Sequence, residues 1–181
     1  PDLKDADGFN ADFGYRGNLL GWINFDVGCF YLNYDNKIGL IQKFVNDPKP
    51  RTYQFRTNLG TTIHKGIESF VDLNISKALK VNQQIGDLQL FTTMSFIDAR
   101  YEDYKVTKPS ETVPNLLIES NLKGNRVENA PRYIHNFGVT WSYKSFSSTL
   151  QNRRTGKVYS DANNTETPSA SGVTGKLDGY S

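Results

Sequence analysis

Apolar and polar residues alternate along this chain with a period of two, most clearly after Pro131. Tyr133, His135, Phe137, Val139 and Trp141 fall on one face there, and Arg132, Ile134, Asn136, Gly138 and Thr140 on the other. Successive side chains of a strand point to opposite faces, so the stretch predicts a strand with one aromatic face and one mostly polar face. The aromatic face holds too many rings for a wetted sheet surface. A wall that meets lipid on one side and water on the other needs this arrangement.

The same alternation predicts six strands, at about 9–16, 22–42, 52–76, 88–106, 126–143 and 146–159. In the first, Phe9, Ala11, Phe13 and Tyr15 oppose Asn10, Asp12, Gly14 and Arg16. In the second, Ile23, Phe25, Val27, Cys29 and Tyr31 oppose Asn24, Asp26 and Gly28. In the third, Ile67, Ser69, Val71, Leu73 and Ile75 oppose Glu68, Phe70, Asp72 and Asn74. Turn formers at 17–21 and Lys144-Ser145 predict tight turns, with a looser one near 77–87. Polar loops containing Pro48, Pro50, Pro109 and Pro114, and an Asn/Thr/Ser/Gly-rich segment at 160–176, predict long connections at the opposite end. Such strands exceed the usual five or six residues, and crossing a bilayer takes about 9–11. Long strands, short turns at one end and long polar loops at the other predict an all-β, antiparallel, up-and-down transmembrane β-barrel wall.

Composition fits this reading. The hydrophobic share is 37% and the mean hydropathy −0.56, and no apolar run is long enough for a membrane helix. A barrel escapes that test because only alternate residues meet lipid. Ten Tyr and 11 Phe favour strands. With 21 basic and 19 acidic residues, and no basic cluster beyond Arg153-Arg154, nucleic acid is not an expected partner. The single cysteine, Cys29, excludes an internal disulfide and a multi-cysteine zinc site. Its apolar surroundings suggest a small packed side chain. The start at Pro1, without a leader-like segment, suggests a piece of a longer protein.

Catalytic chemistry finds no foothold. His64 and His135 are the only histidines and lack neighbours at ligand spacing, so no metal site is expected. There is no Gly-x-Ser-x-Gly elbow and no phosphate loop, so neither catalytic residues nor a cofactor are expected. Gly28 and Gly138, lone in their strands, suggest bulges or close packing. Tyr31, Tyr34, Tyr133, Trp141 and Tyr143 suit the lipid–water boundary. Glu68, Asp72, Arg132 and Arg153 are assigned to the polar, lumen-side face. The loop charges Arg51, Lys123, Arg126 and Lys157 either attract an anionic ligand or are plain solvated cations.

Five blocks in order carry a family resemblance: Asp7-Gly8-Phe9-Asn10 through Gly14-Tyr15-Arg16-Gly17; Cys29-Phe30-Tyr31-Leu32-Asn33-Tyr34-Asp35-Asn36-Lys37-Ile38; Arg56-Thr57-Asn58-Leu59-Gly60 with His64-Lys65-Gly66-Ile67-Glu68; Gly124 to Trp141, containing Gly-Asn-Arg and Asn-Ala-Pro-Arg; and Leu150 to Thr165. Together they resemble the C-terminal part of the barrel of TonB-dependent outer-membrane receptors, with a flavour closest to those for ferric citrate and ferric siderophores. The resemblance implies about six strands of a 22-stranded barrel with a plugged lumen, in the outer membrane of a Gram-negative cell. It implies uptake of a ferric chelate, energised through TonB, with no enzyme activity. The plug domain, TonB box and final strand would lie outside this stretch, and the lumen-side charges would either pair with the plug or stay solvated. Composition alone leaves one rival, a soluble all-β ligand- or carbohydrate-binding module, which would bury one sheet face against another sheet.

Overall fold

A computed structural model describes residues 3–46, 50–81, 85–110, 116–170 and 174–181. Its frame is one antiparallel sheet of long strands: β1 (Asp7–Leu19), β2 (Ile23–Asn46), β3 (Pro50–Asn74), β4 (Asp87–Pro109), β5 (Leu117–Asn121), β6 (Tyr133–Tyr143) and β7 (Phe146–Thr155). The order is β1-β2-β3-β4-β6-β7, with β5 on the far half of β4. A two-residue pair, β8 (Val158–Tyr159) with β9 (Lys176–Leu177), closes the last loop. Neighbours in sequence are neighbours in space, as in an up-and-down wall.

The tight ends follow from local chemistry. At Leu19–Trp22 the Trp22 N–H donates to the Leu19 carbonyl, and Leu20 and Gly21 sit at φ 55 and 74. Paired positive φ values match the right-handed twist of the flanking strands. β3 stops at Asn74, short of the predicted residue 76. The Asn74 Oδ1 accepts the Lys77 N–H at 2.8 Å and caps the single helical turn α1 (Ile75–Ala78).

Register fixes both faces. Phe13, Cys29, Ile67, Phe96 and Tyr133 form one cross-strand row, and Gly17, Phe25, Val71, Thr92 and Phe137 another. These rows build a continuous apolar face with no second sheet over it among the described residues. Cys29 lies exposed on it, not in a packed core as its neighbours suggested. Polar residues interrupt this face at Ser69, Thr92, His135, Asn152 and Arg154, and the His135 Nε2 is 2.9 Å from the Thr92 hydroxyl. Trp141 lies 6.2 Å from Tyr143 and 5.9 Å from Phe146 near the short turns; Phe96 lies 6.5 Å from Tyr133, and Phe9 5.6 Å from Tyr31, towards the other end. From Tyr133 to Trp141 the strand runs about 27 Å, or about 21 Å of height at a barrel tilt near 40°. Two aromatic levels therefore bound an apolar band of membrane thickness. Tyr34 belongs to neither level: it pairs with Thr62 on the opposite face.

The predicted fifth strand is broken. Leu117–Asn121 in the expected loop is β5, a turn follows through Gly124 at φ 86, and a lone bridge joins Arg126 to Arg100. Asn129 at φ 57 then carries the chain outward before it rejoins β4, where the Ile97 N–H donates to the Arg132 carbonyl. Pro131 has no N–H for the ladder, so pairing resumes only at Tyr133. The sixth strand likewise ends at Thr155 rather than 159. Leu59, Ala99, Tyr101, Tyr104, Leu122 and Val127 form the buried cluster of the described residues, beyond the band, where the segment after β5 packs against β3 and β4.

Candidate functional site

The polar face is a ladder of cross-strand side-chain bonds. Ser95 donates to Glu68 at 2.9 Å, Asn24 to Asp72 at 3.1 Å and Asn136 to Thr93 at 2.7 Å, and Arg16 pairs with Asp26 at 3.4 Å. Each is a direct register pair. Glu68 and Asp72 thus find only neutral partners, and neither forms a salt bridge among the described residues. Glu68 borders a recess of about 530 Å³ on this face, lined also by Asp26, Gly28, Phe70, Thr93 and Asn136. Arg153, opposite Asn136 in register, is exposed with no salt bridge among the described residues.

Above the band, one cluster closes the same face. Tyr101 is fully buried, and its ring lies 4.0 Å from that of Tyr104. Its hydroxyl donates to Glu128. The Lys37 ammonium sits 3.8 Å from Glu128 and 5.9 and 5.7 Å from the two ring centres. Glu128 is delivered by the break after Val127, so the irregular backbone places a carboxylate against β2 and β4.

A second recess, of about 670 Å³, opens on the apolar side just beyond the Phe96–Tyr133 level. Register puts Lys65 opposite Asp98, and Arg100 opposite Arg126, on the face that carries the apolar band. Arg132, Lys157 and Lys176 complete its rim, so six cations face one carboxylate. Asp98 is shared by Arg100 at 3.0 Å and Arg126 at 3.2 Å. Burial pushes the Arg126 guanidinium below its ordinary value; Arg132 and Arg100 push the same way, and Asp98 opposes them. Lys176 is held by Glu166, which also accepts from the Tyr159 hydroxyl at 2.7 Å.

The expected site residues therefore scatter. Glu68, Asp72 and Arg153 fall on the polar face. Arg132 sits at a bend outside the strands and gathers with Arg126 and Lys157 at the apolar-side recess. Lys123 is tied to Glu102 at 2.6 Å, which raises its pKa. Arg51 is an exposed residue at the start of β3. The predicted loop residues 47–49, 111–115 and 171–173 lie outside the described residues. Lys65, Asp98 and Arg100 were not anticipated, although charges interrupting the apolar register before Ile67 and after Phe96 were a usable signal. Among the described residues no group of three metal-ligating side chains converges.

A family model described as TonB dependent receptor-like, beta-barrel, matches residues 1–181. Among solved structures the chain is similar to the ferric citrate transporter FecA in its unliganded form, with a TM-score of 0.64 and 19% identity. That likeness covers 94% of this chain and 22% of the transporter, so the chain spans about a fifth of its length and shares its fold. No curated protein matches the sequence significantly.

Proposed function

This chain belongs to the TonB-dependent receptor β-barrels, and from that premise we propose that it is part of the barrel of an outer-membrane transporter that takes up a ferric chelate with energy relayed through TonB. The observation that carries the reading is the division of one sheet into two unlike faces. One is an apolar band bounded by aromatic levels, suited to lipid. The other is a hydrogen-bonded polar wall that holds Glu68, Asp72 and Arg153 without counter-charges among the described residues.

In a plugged barrel those charges face the plug, and the recess beside Glu68 receives one of its surface side chains. Their partners are cationic plug residues opposite Glu68 and Asp72, and an anionic one opposite Arg153. Arg51 at the far end of β3 and Lys123 in the turn after β5 lie on the side from which an anionic chelate arrives and raise its local concentration. Nothing in this arrangement makes or breaks a bond: the wall holds a plug and lets it move. The ferric citrate transporter among the similar structures favours an iron chelate as the cargo.

Uptake of ⁵⁵Fe-labelled ferric citrate and ferric siderophores tests this, in cells whose only receptor is the full-length protein, with TonB present or deleted. Accumulation that disappears without TonB supports the reading. Accumulation independent of TonB, or none for any ferric chelate under iron limitation, overturns it.

A further inference from the structure

We propose that a recess at the short-turn end of the polar wall is an exit site for the cargo, where Lys77, Lys80 and Lys144 hold a carboxylate-rich anionic chelate as it leaves the lumen. The exit role rests on the uptake reading above; binding at the recess does not require transport.

Position comes first. The recess, of about 980 Å³, lies between α1, the start of β4 and the β6–β7 turn. Asn74, Gln89 and Ser142 line it. Register places them on the polar face, with Asn74 opposite Gln89 and Ser142 opposite Asp87. Trp141, whose indole donates to the Ile85 carbonyl at 3.1 Å, belongs to the other face. The recess therefore opens on the lumen side, at the end away from the long strands. Charge comes next. From Glu68 down to the recess, the charged residues on the polar side of β3, β4 and β6 are Glu68, Asp72 and Asp87. Cations appear only at the mouth, where Lys77, Lys80 and Lys144 line the recess. None of the three forms a salt bridge among the described residues. Asp87 is occupied by amides instead, from Asn74 at 3.1 Å and Gln89 at 3.0 Å.

The backbone supplies the third observation. Lys80 and Lys144 both sit at φ 53, a left-handed conformation that a lysine disfavours. Lys80 closes α1: its N–H donates to the Lys77 carbonyl at 3.2 Å and the Val81 N–H to the Ser76 carbonyl at 2.9 Å. Glycine is the usual residue at that position. Lys144 opens the two-residue turn between Tyr143 and Phe146, where a positive φ again favours glycine. Two turns thus carry an ammonium group where glycine is easier, and both line one recess. Strained backbone of this kind is retained where a side chain is needed. All three lysines are exposed, and exposed ion pairs are individually weak. Together they hold a ligand with several carboxylates loosely, which suits a site that the cargo must leave.

Purified full-length receptor is dialysed to equilibrium against ⁵⁵Fe-labelled ferric citrate at concentrations up to the millimolar range. A weak class of sites is expected, and it should weaken further as ionic strength rises. In K77Q/K80G/K144G this class should lose about tenfold in affinity. The two glycines suit their turns, so that variant removes charge without straining the fold, and K77R/K80R/K144R should retain the site. The cationic chelate ferrioxamine B should not occupy it. In cells whose only receptor is the full-length protein, K77Q/K80G/K144G should lower the maximal rate of ferric citrate uptake by about threefold and leave the half-saturating concentration unchanged. Absence of the weak class, its persistence in the glycine variant, equal occupancy by ferrioxamine B, or an unaltered maximal rate would each overturn the proposal. A lysine-dependent site in a receptor that takes up no ferric chelate would instead overturn the uptake reading, and the exit role with it, while the binding site stands.

Discussion

The ring of Phe91 lies over Gly138, its direct cross-strand partner: a Cβ at Gly138 would fall 2.3 Å from Phe91 Cζ. Phe30 and Gly66 repeat the arrangement one hairpin away, at 2.6 Å. Glycine is normally a weak strand residue; here its missing side chain is the seat for a ring on the polar face. The substitution G138V should destabilise the full-length receptor by about 1–3 kcal/mol, the range for overpacking. Urea unfolding of the refolded barrel, followed by tryptophan fluorescence, measures it. The double variant F91A/G138V should lose less than the two single losses added together, because removing the ring removes the clash. Strict additivity would show that the ring does not occupy that seat.

The two faces make opposite predictions for one side chain. Phe137 lies on the apolar band and Asn136 beside it on the polar wall, hydrogen-bonded to Thr93. An arginine at position 137 should cost about 2–4 kcal/mol near mid-membrane, while N136R should cost roughly the one hydrogen bond it breaks, about 1 kcal/mol. Unfolding free energies in lipid vesicles compare the two. A larger loss for N136R than for F137R would mean that the faces are exchanged.

The alternation of Tyr133 to Trp141 was enough to orient β6, and the rhythm of turns gave the six-strand path, because period-two patterning and turn chemistry are local. The break in the fifth strand was harder to see. Val127 and Tyr133 both look like strand residues. The outward excursion depends on Asn129 adopting a left-handed backbone and on Tyr159 supplying a carbonyl to its N–H from another loop. β5 was read as loop because Pro109 and Pro114 dominate its surroundings, whereas its pairing is set by the length of β4. The recess beyond Phe96 depends on the same excursion, which brings Arg126 beside Arg100 and Arg132 beside Arg126. Strand parity alone would send Arg132 to the polar side.

The last loop should depend on acid. Hydrogen bonds from Lys176 and then from Tyr159 hold the Glu166 carboxyl below its ordinary value. Its contribution to the order of the β8–β9 pair is present above the ordinary carboxylate pKa and fades as pH falls through the lowered one. Hydrogen exchange of residues 158–166, corrected for intrinsic rates, should show undiminished protection from pH 7 down to the ordinary carboxylate range and loss of protection below it. E166Q should shrink this acid transition; a transition of the same size would assign it to another group.

The buried cluster above the band predicts where the broken strand is anchored. The Tyr101 hydroxyl donates to Glu128, and the Lys37 ammonium faces the same carboxylate and both tyrosine rings. Hydrogen bonds to charged groups contribute about 1.5–3 kcal/mol, so Y101F should loosen the segment that carries Glu128 by roughly that amount while the ring still fills its space. E128Q keeps an acceptor for the hydroxyl but leaves Lys37 without its charge partner, so it should cost less than Y101F if the hydroxyl bond dominates. If the ammonium dominates, K37M and E128Q should be alike and Y101F mild. Hydrogen exchange across residues 122–130 in the full-length receptor distinguishes these outcomes. Unchanged exchange in all three variants would show that Val127 and Leu122, buried beside them, hold the segment by apolar packing alone.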